Sequence, residues 1–122
     1  MDTTVQLGPL SLATPLVAAS GTVASVVDVT QVIDFSYYGA AVAKSVSATA
    51  WKGQPAPRMG PTSVGMLNRI GIQNPGIEKW TELYGQRLAK APTSLWGSAV
   101  GNSVQEFVEV AKGLVGAGVA AV

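Results

Sequence analysis

The sequence contains neither cysteine nor histidine. Without cysteine the chain can form no disulfide and no thiolate metal site. Without histidine it lacks the commonest metal ligand and the commonest general base. Charged residues make up only 12% of the 122 residues, about half the quarter that is usual in soluble domains. Any chemistry must therefore use lysine, serine, asparagine, backbone groups or a bound cofactor, and we expect no metal site.

Net charge and hydropathy exclude further classes of protein. A net charge of +1 provides no basic field for nucleic acid. The apolar runs at residues 40–43 and 115–122 are far shorter than the roughly 20 residues of a membrane-spanning helix. The N-terminus has no basic region followed by a hydrophobic stretch, so it does not resemble a signal peptide. We therefore expect a cytoplasmic protein that binds neither nucleic acid nor membrane.

Short apolar runs mark the predicted strands. Residues 5–12 predict a β-hairpin with a Gly-Pro turn. Residues 15–19, 40–44 and 94–100 predict three buried strands, and residues 119–122 predict the start of a fourth. The spacing in residues 26–33 predicts a helix, although its β-branched residues weaken it. Residues 45–73 are predicted to be mostly loop.

Two amphipathic helices complete the pattern. Asn74 is expected to cap the first and Pro75 to lie in its first turn. Ser103 and Glu106 predict a capping box for the second, which two glycines, at positions 116 and 118, are expected to end. The apolar positions at helical spacing are Ile77, Trp80, Tyr84 and Leu88 in the first helix, and Val104, Phe107, Val108, Ala111, Leu114 and Val115 in the second.

The order of these elements predicts an α/β fold. Short apolar strands that alternate with amphipathic helices indicate parallel strands joined by right-handed crossovers. A small doubly wound domain and the first half of a (β/α)8 barrel both fit this order. The chain ends at a strand with no helix after it. We therefore expect residues 1–122 to be the N-terminal part of a single (β/α)8 TIM-barrel domain, with a leading β-hairpin, truncated after the start of strand four.

Ligands bind at the carboxyl ends of the strands in either fold. Small or polar groups follow each predicted strand: Ala19, Ser20 and Gly21 after the first, Lys44 and Ser45 after the second, and Ser98 in the third. The segment from Gly65 to Gly76 leaves the same edge. It is too apolar for a disordered linker, and long irregular segments in compact domains are usually functional, so it predicts a binding loop.

Each candidate also has a purely structural interpretation. Lys44 is either a lysine that extends from a strand end to solvent or a fixed cation beside an anion or an electron-rich ring. Asn68 is either a self-bonded loop asparagine or an amide suited to a planar amide or carboxylate ligand. Ser98 is more simply a small core hydroxyl, and the three tryptophans are more simply packing residues.

At these residues the chain resembles the class 1 dihydroorotate dehydrogenases, and most closely the catalytic subunit of the NAD-linked class 1B subtype. The matching pieces occur in family order over nearly the whole chain, and the segment 65–76 is the most specific of them. They are Ala19-Ser20-Gly21-Thr22, Lys44-Ser45, Pro57-Arg58, Gly65 to Gly76, and Asn102-Ser103 to Ala111.

The resemblance implies an FMN-binding TIM barrel that oxidises dihydroorotate to orotate in pyrimidine biosynthesis. It implies that Ala19, Ser20, Gly21, Lys44 and Ser45 contact the flavin. Ser98 stands where many relatives have an asparagine near the flavin. It further implies that Lys44 also contacts the substrate, together with Asn68, Ile70, Gly71 and Ile72.

The family's catalytic base is a cysteine on a loop after strand four, and this chain has no cysteine. The resemblance therefore implies that the base lies beyond Val122. No catalytic residue is expected in residues 1–122, and the chain alone is predicted to be inactive.

The resemblance also implies a partner subunit that carries an iron–sulfur centre and FAD, and a homo-oligomer at full length. Two alternatives remain open. One is a non-catalytic half-barrel that serves as a folding or interaction module. The other is another flavin-dependent barrel, of the dihydropyrimidine-oxidising type.

Overall fold

A computed structural model describes residues 2–122, which form an α/β structure with three small sheets. In chain order the elements are β1 (Val5–Leu7), β2 (Leu10–Leu12), β3 (Val17–Ala18), a 3-10 turn (Phe35–Tyr37), β4 (Ala40–Val42), β5 (Met59–Thr62), β6 (Gly65–Asn68), α1 (Ile77–Leu88), β7 (Ser94–Trp96) and α2 (Val104–Ala117).

The central sheet is parallel and follows chain order, β3-β4-β7. An isolated parallel bridge between Val46 and Ala99 extends it beyond the ends of β4 and β7. The leading hairpin is also confirmed, because β1 and β2 pair antiparallel around the turn that begins at Gly8, whose φ is 55°.

The predicted fourth strand at residues 119–122 is present only as a single bridge. Ala121 pairs in parallel with Trp96 of β7, so the segment lies where the next strand of the sheet would lie. Val122 forms no bridge and is 55% exposed. The expectation of a strand that reaches Val122 is therefore wrong in its extent, because one bridged residue is too few for a strand, while its parallel direction is confirmed.

The predicted helix at residues 26–33 is wrong. The segment forms successive turns in which Val26 donates to Val23 and Val29 donates to Val26 through backbone hydrogen bonds. Ala24 and Val26 have φ values of 50° and 65°, outside the right-handed helical region. The backbone N–H of Lys44 donates to the Ala24 carbonyl, so a contact with the end of β4 helps to hold this conformation.

The expectation of a mostly irregular loop at residues 45–73 is also wrong in part. Its middle forms an antiparallel hairpin in which Met59 pairs with Asn68 and Thr62 pairs with Gly65. Below the hairpin, Trp51 pairs with Asn74. We call residues 51–74 the arm, because the chain runs out from the sheet edge and returns beside itself.

Helix α1 begins later than predicted. Its N-cap residue is Gly76, with φ of 81°, and Asn74 makes no N-cap contact with the helix. The Asn74 side chain instead accepts a hydrogen bond from the Gly76 backbone N–H. The expected apolar stripe is confirmed, since Ile77, Trp80 and Leu88 are buried and Tyr84 packs against the core.

Helix α2 begins as predicted at Ser103, whose hydroxyl accepts from the Glu106 backbone N–H. The Glu106 carboxylate does not reach back to Ser103, because it accepts from the Asn102 backbone N–H at 2.6 Å. Gly118, with φ of 102°, ends the helix, whereas the residue at 116 lies within it. The expected stripe is only partly buried: Leu114 is buried, but Val104, Phe107, Val108 and Val115 are exposed.

The two helices contact each other, and both contribute residues to the core that they share with the parallel sheet. Gly113 of α2 lies so close to Ile77 of α1 that a Cβ there would be 2.4 Å from the isoleucine Cγ1. The core lies between these helices, the sheet and the turns of residues 23–27. Among residues 2–122, no helix combines the length and apolar character needed to cross a membrane.

Candidate functional site

Hydroxyl groups from three strand ends meet at the carboxyl edge of the parallel sheet. Ser20, Ser45 and Ser98 follow β3, β4 and β7, and each is half-buried. The Ser20 hydroxyl donates to the Ala43 carbonyl at 2.9 Å. Its Oγ lies 3.3 Å from Ser45 Oγ, which lies 2.8 Å from Ser98 Oγ. We call these three residues the serine chain.

Lys44 lies beside the serine chain and has an open space next to its ammonium group. A Cβ built on Gly21 would lie 3.5 Å from Lys44 Nζ, so glycine leaves that position free. Gly21 also has φ of 86°, a conformation that side-chain-bearing residues rarely adopt. The ion pairs found within residues 2–122 join Lys79 to Glu82 and Arg87 to Asp28, and none of them neutralises Lys44.

Arg58 joins the two sides of the arm. Its guanidinium donates to the Gln73 amide oxygen at 2.8 Å and to the carbonyl oxygens of Lys52 and Gln54. The backbone N–H of Gln54 in turn donates to the Ile70 carbonyl at 3.1 Å. The lower arm is therefore held by one planar cation with several donors.

Asn74 fixes the base of the arm to the end of β4. It is 8% exposed, and its Oδ1 accepts from the backbone N–H groups of Ser47, at 3.1 Å, and Gly76, at 2.9 Å. Its Nδ2 donates to Ser47 Oγ and to the Ile72 carbonyl, both at 2.9 Å. The side chain satisfies donors and acceptors from three segments, so it is a structural centre rather than a ligand contact.

A cavity of about 290 Å³ lies between the base of the arm and the loop after β7. Polar groups enter it from Asn102 and Glu106, and Trp51 supplies an aromatic surface. The full lining comprises Ser47, Ala48, Thr49, Trp51, Gln54, Gly71, Ile72, Val100, Gly101, Asn102 and Glu106. A cavity with apolar walls and a few convergent polar groups is typical of a site for a small molecule.

The structure brings only some of the predicted site residues together. Ser20, Ser45 and Ser98 are joined by hydrogen bonds, Lys44 and Gly21 lie beside each other, and Ala19 is exposed next to Ser20. Gly71 and Ile72 line the cavity.

Asn68 lies apart from these groups. It is exposed at the end of β6 and lines a separate shallow groove with Arg58. Ile70, also exposed, lies at the level of the Gln54 hydrogen bond. Within residues 2–122, no hydrogen bond joins Asn68 to Lys44.

Val122, beyond which the catalytic base is expected, is not itself a site residue. It does not line the cavity or the shallow groove, and its side chain is apolar and can neither take nor give a proton. Its neighbour Ala121 is tied to β7 by the bridge to Trp96.

Sequence reasoning missed the cavity contributions of Asn102 and Glu106. The sequence predicts Glu106 as part of the capping box of α2 and gives Asn102 only as the start of a segment that matches the family, and the Asn102 backbone N–H does bind the Glu106 carboxylate. The same pair also faces the cavity. Its position directly after a strand on the ligand edge was the available signal. No cluster of three or more metal-ligating side chains occurs in the part of the chain that the structure describes.

Comparison with known proteins gives a consistent result. The sequence model of the family described as "Dihydroorotate dehydrogenase" matches residues 3–121. The catalytic subunit of dihydroorotate dehydrogenase B (NAD(+)) of Lachnoclostridium phytofermentans is 37% identical over 114 residues, which are 93% of this chain and 38% of that protein. The corresponding subunit of Alkaliphilus metalliredigens is 35% identical over 110 residues, 90% of this chain and 36% of that protein.

A putative dihydroorotate dehydrogenase A (fumarate) of Aquifex aeolicus is also similar, at 35% identity over 114 residues, 93% of this chain and 37% of that protein. The chain thus spans between 36% and 38% of the lengths of these three relatives. Because the family match covers almost every residue of the chain, this chain belongs to the dihydroorotate dehydrogenase family.

Proposed function

We propose that residues 1–122 are the N-terminal part of an FMN-dependent (β/α)8 barrel that oxidises dihydroorotate to orotate in pyrimidine (UMP) biosynthesis. The observation that carries this proposal is the family match over residues 3–121. The serine chain and Lys44 at the carboxyl edge of the parallel sheet support it, since barrel enzymes bind their ligands at that edge. The expected cytoplasmic location stays a prediction.

The family match favours a barrel over a doubly wound sheet, and three features of the fold are compatible with a barrel. The strands β3, β4 and β7 are adjacent in chain order, an order that the first part of a barrel has throughout and that one half of a doubly wound sheet shares. The helices α1 and α2 contact each other, as neighbouring helices do in the outer ring of a barrel. The face of α2 around Phe107 is exposed, as expected for a helix that packs against a following helix in a ring.

The residues at the sheet edge fit a flavin. Gly21 keeps the space beside Lys44 Nζ free of a side chain. Ala19 and Gly21 are exposed, and their small size permits close approach of a flat ring. Lys44 offers a positive charge, and Ser20, Ser45 and Ser98 offer hydroxyls. When bound, FMN supplies the acceptor for the hydride that leaves dihydroorotate.

The arm is proposed to bind the substrate. Lys44 contributes its charge to the substrate carboxylate as well as to the flavin. Gly71 and Ile72 offer main-chain groups at the cavity, with Ile70 beside them. Asn68 offers a planar amide whose donors and acceptor match a carboxylate or a ring amide.

The catalytic base is proposed to lie beyond Val122. Residues 1–122 contain no cysteine and no histidine, and a general base must lie within hydrogen-bond reach of the proton that it takes. We expect the 122-residue polypeptide, purified alone, to show no dihydroorotate-dependent reduction of a dye. Turnover by that polypeptide would contradict this expectation.

The electron acceptor is proposed to be reached through a partner. Two of the relatives are named catalytic subunits with NAD(+), and we extend to this protein a second subunit with an iron–sulfur centre and FAD. A third relative is named for fumarate. Assay of the protein that contains this chain with fumarate, and with NAD⁺ in the presence of co-purified protein, distinguishes the two acceptors.

The flavin site is tested by replacing Lys44 in the protein that contains this chain. We expect Lys44→Ala to lower FMN affinity at least tenfold, on the order of one or two charge-assisted hydrogen bonds. The matched control is Lys112→Ala, which removes an exposed lysine from α2 and should leave affinity unchanged. FMN retained by Lys44→Ala at the affinity of the control would remove Lys44 from the proposed site.

A further inference from the structure

The serine chain has only one fully bonded arrangement of its protons. Each hydroxyl carries one hydrogen and can accept two hydrogen bonds. Ser20 gives its hydrogen to the Ala43 carbonyl, 2.9 Å away. In the contact between Ser20 and Ser45, at 3.3 Å, Ser45 must therefore be the donor.

The same count of hydroxyl hydrogens determines which residue donates in the contact between Ser45 and Ser98. Because the Ser45 hydrogen points to Ser20, the 2.8 Å contact between Ser45 and Ser98 requires Ser98 to donate. Within residues 2–122, no other side-chain hydrogen bond uses Ser98 Oγ. Both of its lone pairs are thus free, while its only hydrogen is already given away. Ser98 presents an acceptor to whatever binds at this edge of the sheet.

We propose that the serine chain is a directional relay that presents Ser98 as an acceptor and thereby selects the ring N–H of the bound flavin. This inference rests on the proposed FMN site. Oxidised FMN carries a single ring N–H, at N3, which can only donate. The ribityl hydroxyls can donate or accept, so a partner restricted to accepting gives no selection among them. A hydroxyl that can only accept a hydrogen bond provides selection only when the ligand group that faces it can act in one role alone, as donor or as acceptor.

The relay also assigns a positioning function to Ser20. Removal of its hydroxyl leaves Ser45 free to donate to Ser98 instead, because the 2.8 Å contact permits either direction. Ser98 then regains a hydrogen to donate, although its own side chain is unchanged. Ser20→Ala should therefore relax the selection exercised by Ser98, which a merely structural role for Ser20 would not do.

The test measures binding of FMN and of 3-methyl-FMN, which lacks the ring N–H, to the apo form of the protein that contains this chain. Quenching of flavin fluorescence gives both dissociation constants. We expect Ser98→Ala to weaken FMN binding about five- to tenfold, the value of one hydrogen bond, and to weaken 3-methyl-FMN binding little. The preference for FMN over 3-methyl-FMN should fall by the same factor. Ser20→Ala should also lower this preference.

Two controls keep the result interpretable. Ser11→Ala removes an exposed serine from β2 and should leave both constants unchanged. If Ser98→Ala does not fold, Ser98→Cys replaces it in the test, because cysteine has nearly the same shape and its sulfur is only a weak acceptor. Ser98→Cys should then show the loss of preference for FMN that is predicted for Ser98→Ala.

Three outcomes would overturn the inference while leaving the FMN site intact. These are unchanged FMN binding by Ser98→Ala, equal weakening of both flavins by that variant, and an unchanged preference in Ser20→Ala. If the unmodified protein binds no FMN, the proposed function fails together with this inference.

Discussion

The contact between α1 and α2 leaves no room for a methyl group at position 113. A Cβ on Gly113 would lie 2.4 Å from Ile77 Cγ1 and 3.1 Å from its Cδ1, whereas carbon atoms pack favourably at about 3.5–4.0 Å. Ile77 is 6% exposed, and its backbone N–H donates to the Ser47 carbonyl. The isoleucine therefore cannot move away without disturbing the start of α1.

Two opposing effects determine how much Gly113→Ala changes the free energy of unfolding. Alanine gains about 1 kcal/mol over glycine inside a helix. Overpacking of a tight contact costs about 1–3 kcal/mol, and the overlap of more than 1 Å implied by a 2.4 Å contact favours the upper part of that range. We expect Gly113→Ala to lower the free energy of unfolding by about 1–2 kcal/mol.

The same helix contains a matched control. A Cβ on Gly116 would meet no atom within 4 Å, so Gly116→Ala receives the helix gain alone and should stabilise by about 0.5–1 kcal/mol. Urea denaturation of the protein that contains this chain, followed by circular dichroism, measures both variants. A double-mutant cycle with Ile77→Ala should show a coupling of about 1 kcal/mol or more, because it removes the clashing atom. Equal effects of the two glycine substitutions would refute the argument.

Three further predictions concern local hydrogen bonds. Asn74→Ala should lower the free energy of unfolding by about 2–3 kcal/mol, because Asn74 is buried and its loss leaves half-buried Ser47 and its other partners without their hydrogen bonds; a loss in urea denaturation below about 1 kcal/mol would contradict the structural assignment. Ser103→Ala should cost about 1 kcal/mol by removing the acceptor for the Glu106 N–H, whereas Ser103→Gly should cost only a few tenths. The backbone N–H of the residue two positions later lowers the pKa of Asp34. This hydrogen bond therefore stabilises the fold above the pKa that Asp34 has in the unfolded state, and the stabilisation is lost as pH falls through the pKa that Asp34 has in the folded state. Asp34→Asn removes the titrating group, so it should flatten the dependence of the urea midpoint on acid pH.

The most predictable parts of this fold were the helix boundaries that depend on local chemistry. Ser103 caps α2 and Gly118 ends it, because each acts on groups within a few residues of itself. The turns of residues 20–33 were not predictable in the same way. Ala24 adopts a φ of 50° and its carbonyl accepts from Lys44, a contact that the local pattern does not contain.

The hairpin β5–β6 was missed for a different reason. Its strands contain Gly60 and Pro61, which are poor strand formers. Every residue from 61 to 70 is exposed, so there is no buried face to impose the alternation of apolar and polar residues that marks a strand. An alternating sequence pattern indicates which face of a strand packs against a core. Within residues 2–122 this hairpin packs no face against a core, so the pattern is absent.

The same distinction applies to the candidate site: strand topology made part of it predictable, and contacts between distant segments determine the rest. The convergence of Ser20, Ser45 and Ser98 followed from topology, because parallel strands must end at one edge. The positions of the arm residues relative to that edge did not follow, because they depend on Arg58, Asn74 and the cavity wall. Such contacts join segments far apart in sequence, and the identity of each residue alone fits several roles.

The tethers of the arm determine how its residues can contribute to binding. Gly71 and Ile72 lie between Asn74 and the Gln54–Ile70 hydrogen bond, so the protein itself fixes them at the cavity. Asn68 lies further out, on an exposed two-stranded hairpin of a kind that is marginally stable alone. Any contact that Asn68 makes with a ligand must therefore offset the cost of ordering its segment, about 1–2 kcal/mol for each backbone residue fixed. We therefore expect the affinity of the proposed substrate site to depend on the stiffness of the arm as much as on the Asn68 amide.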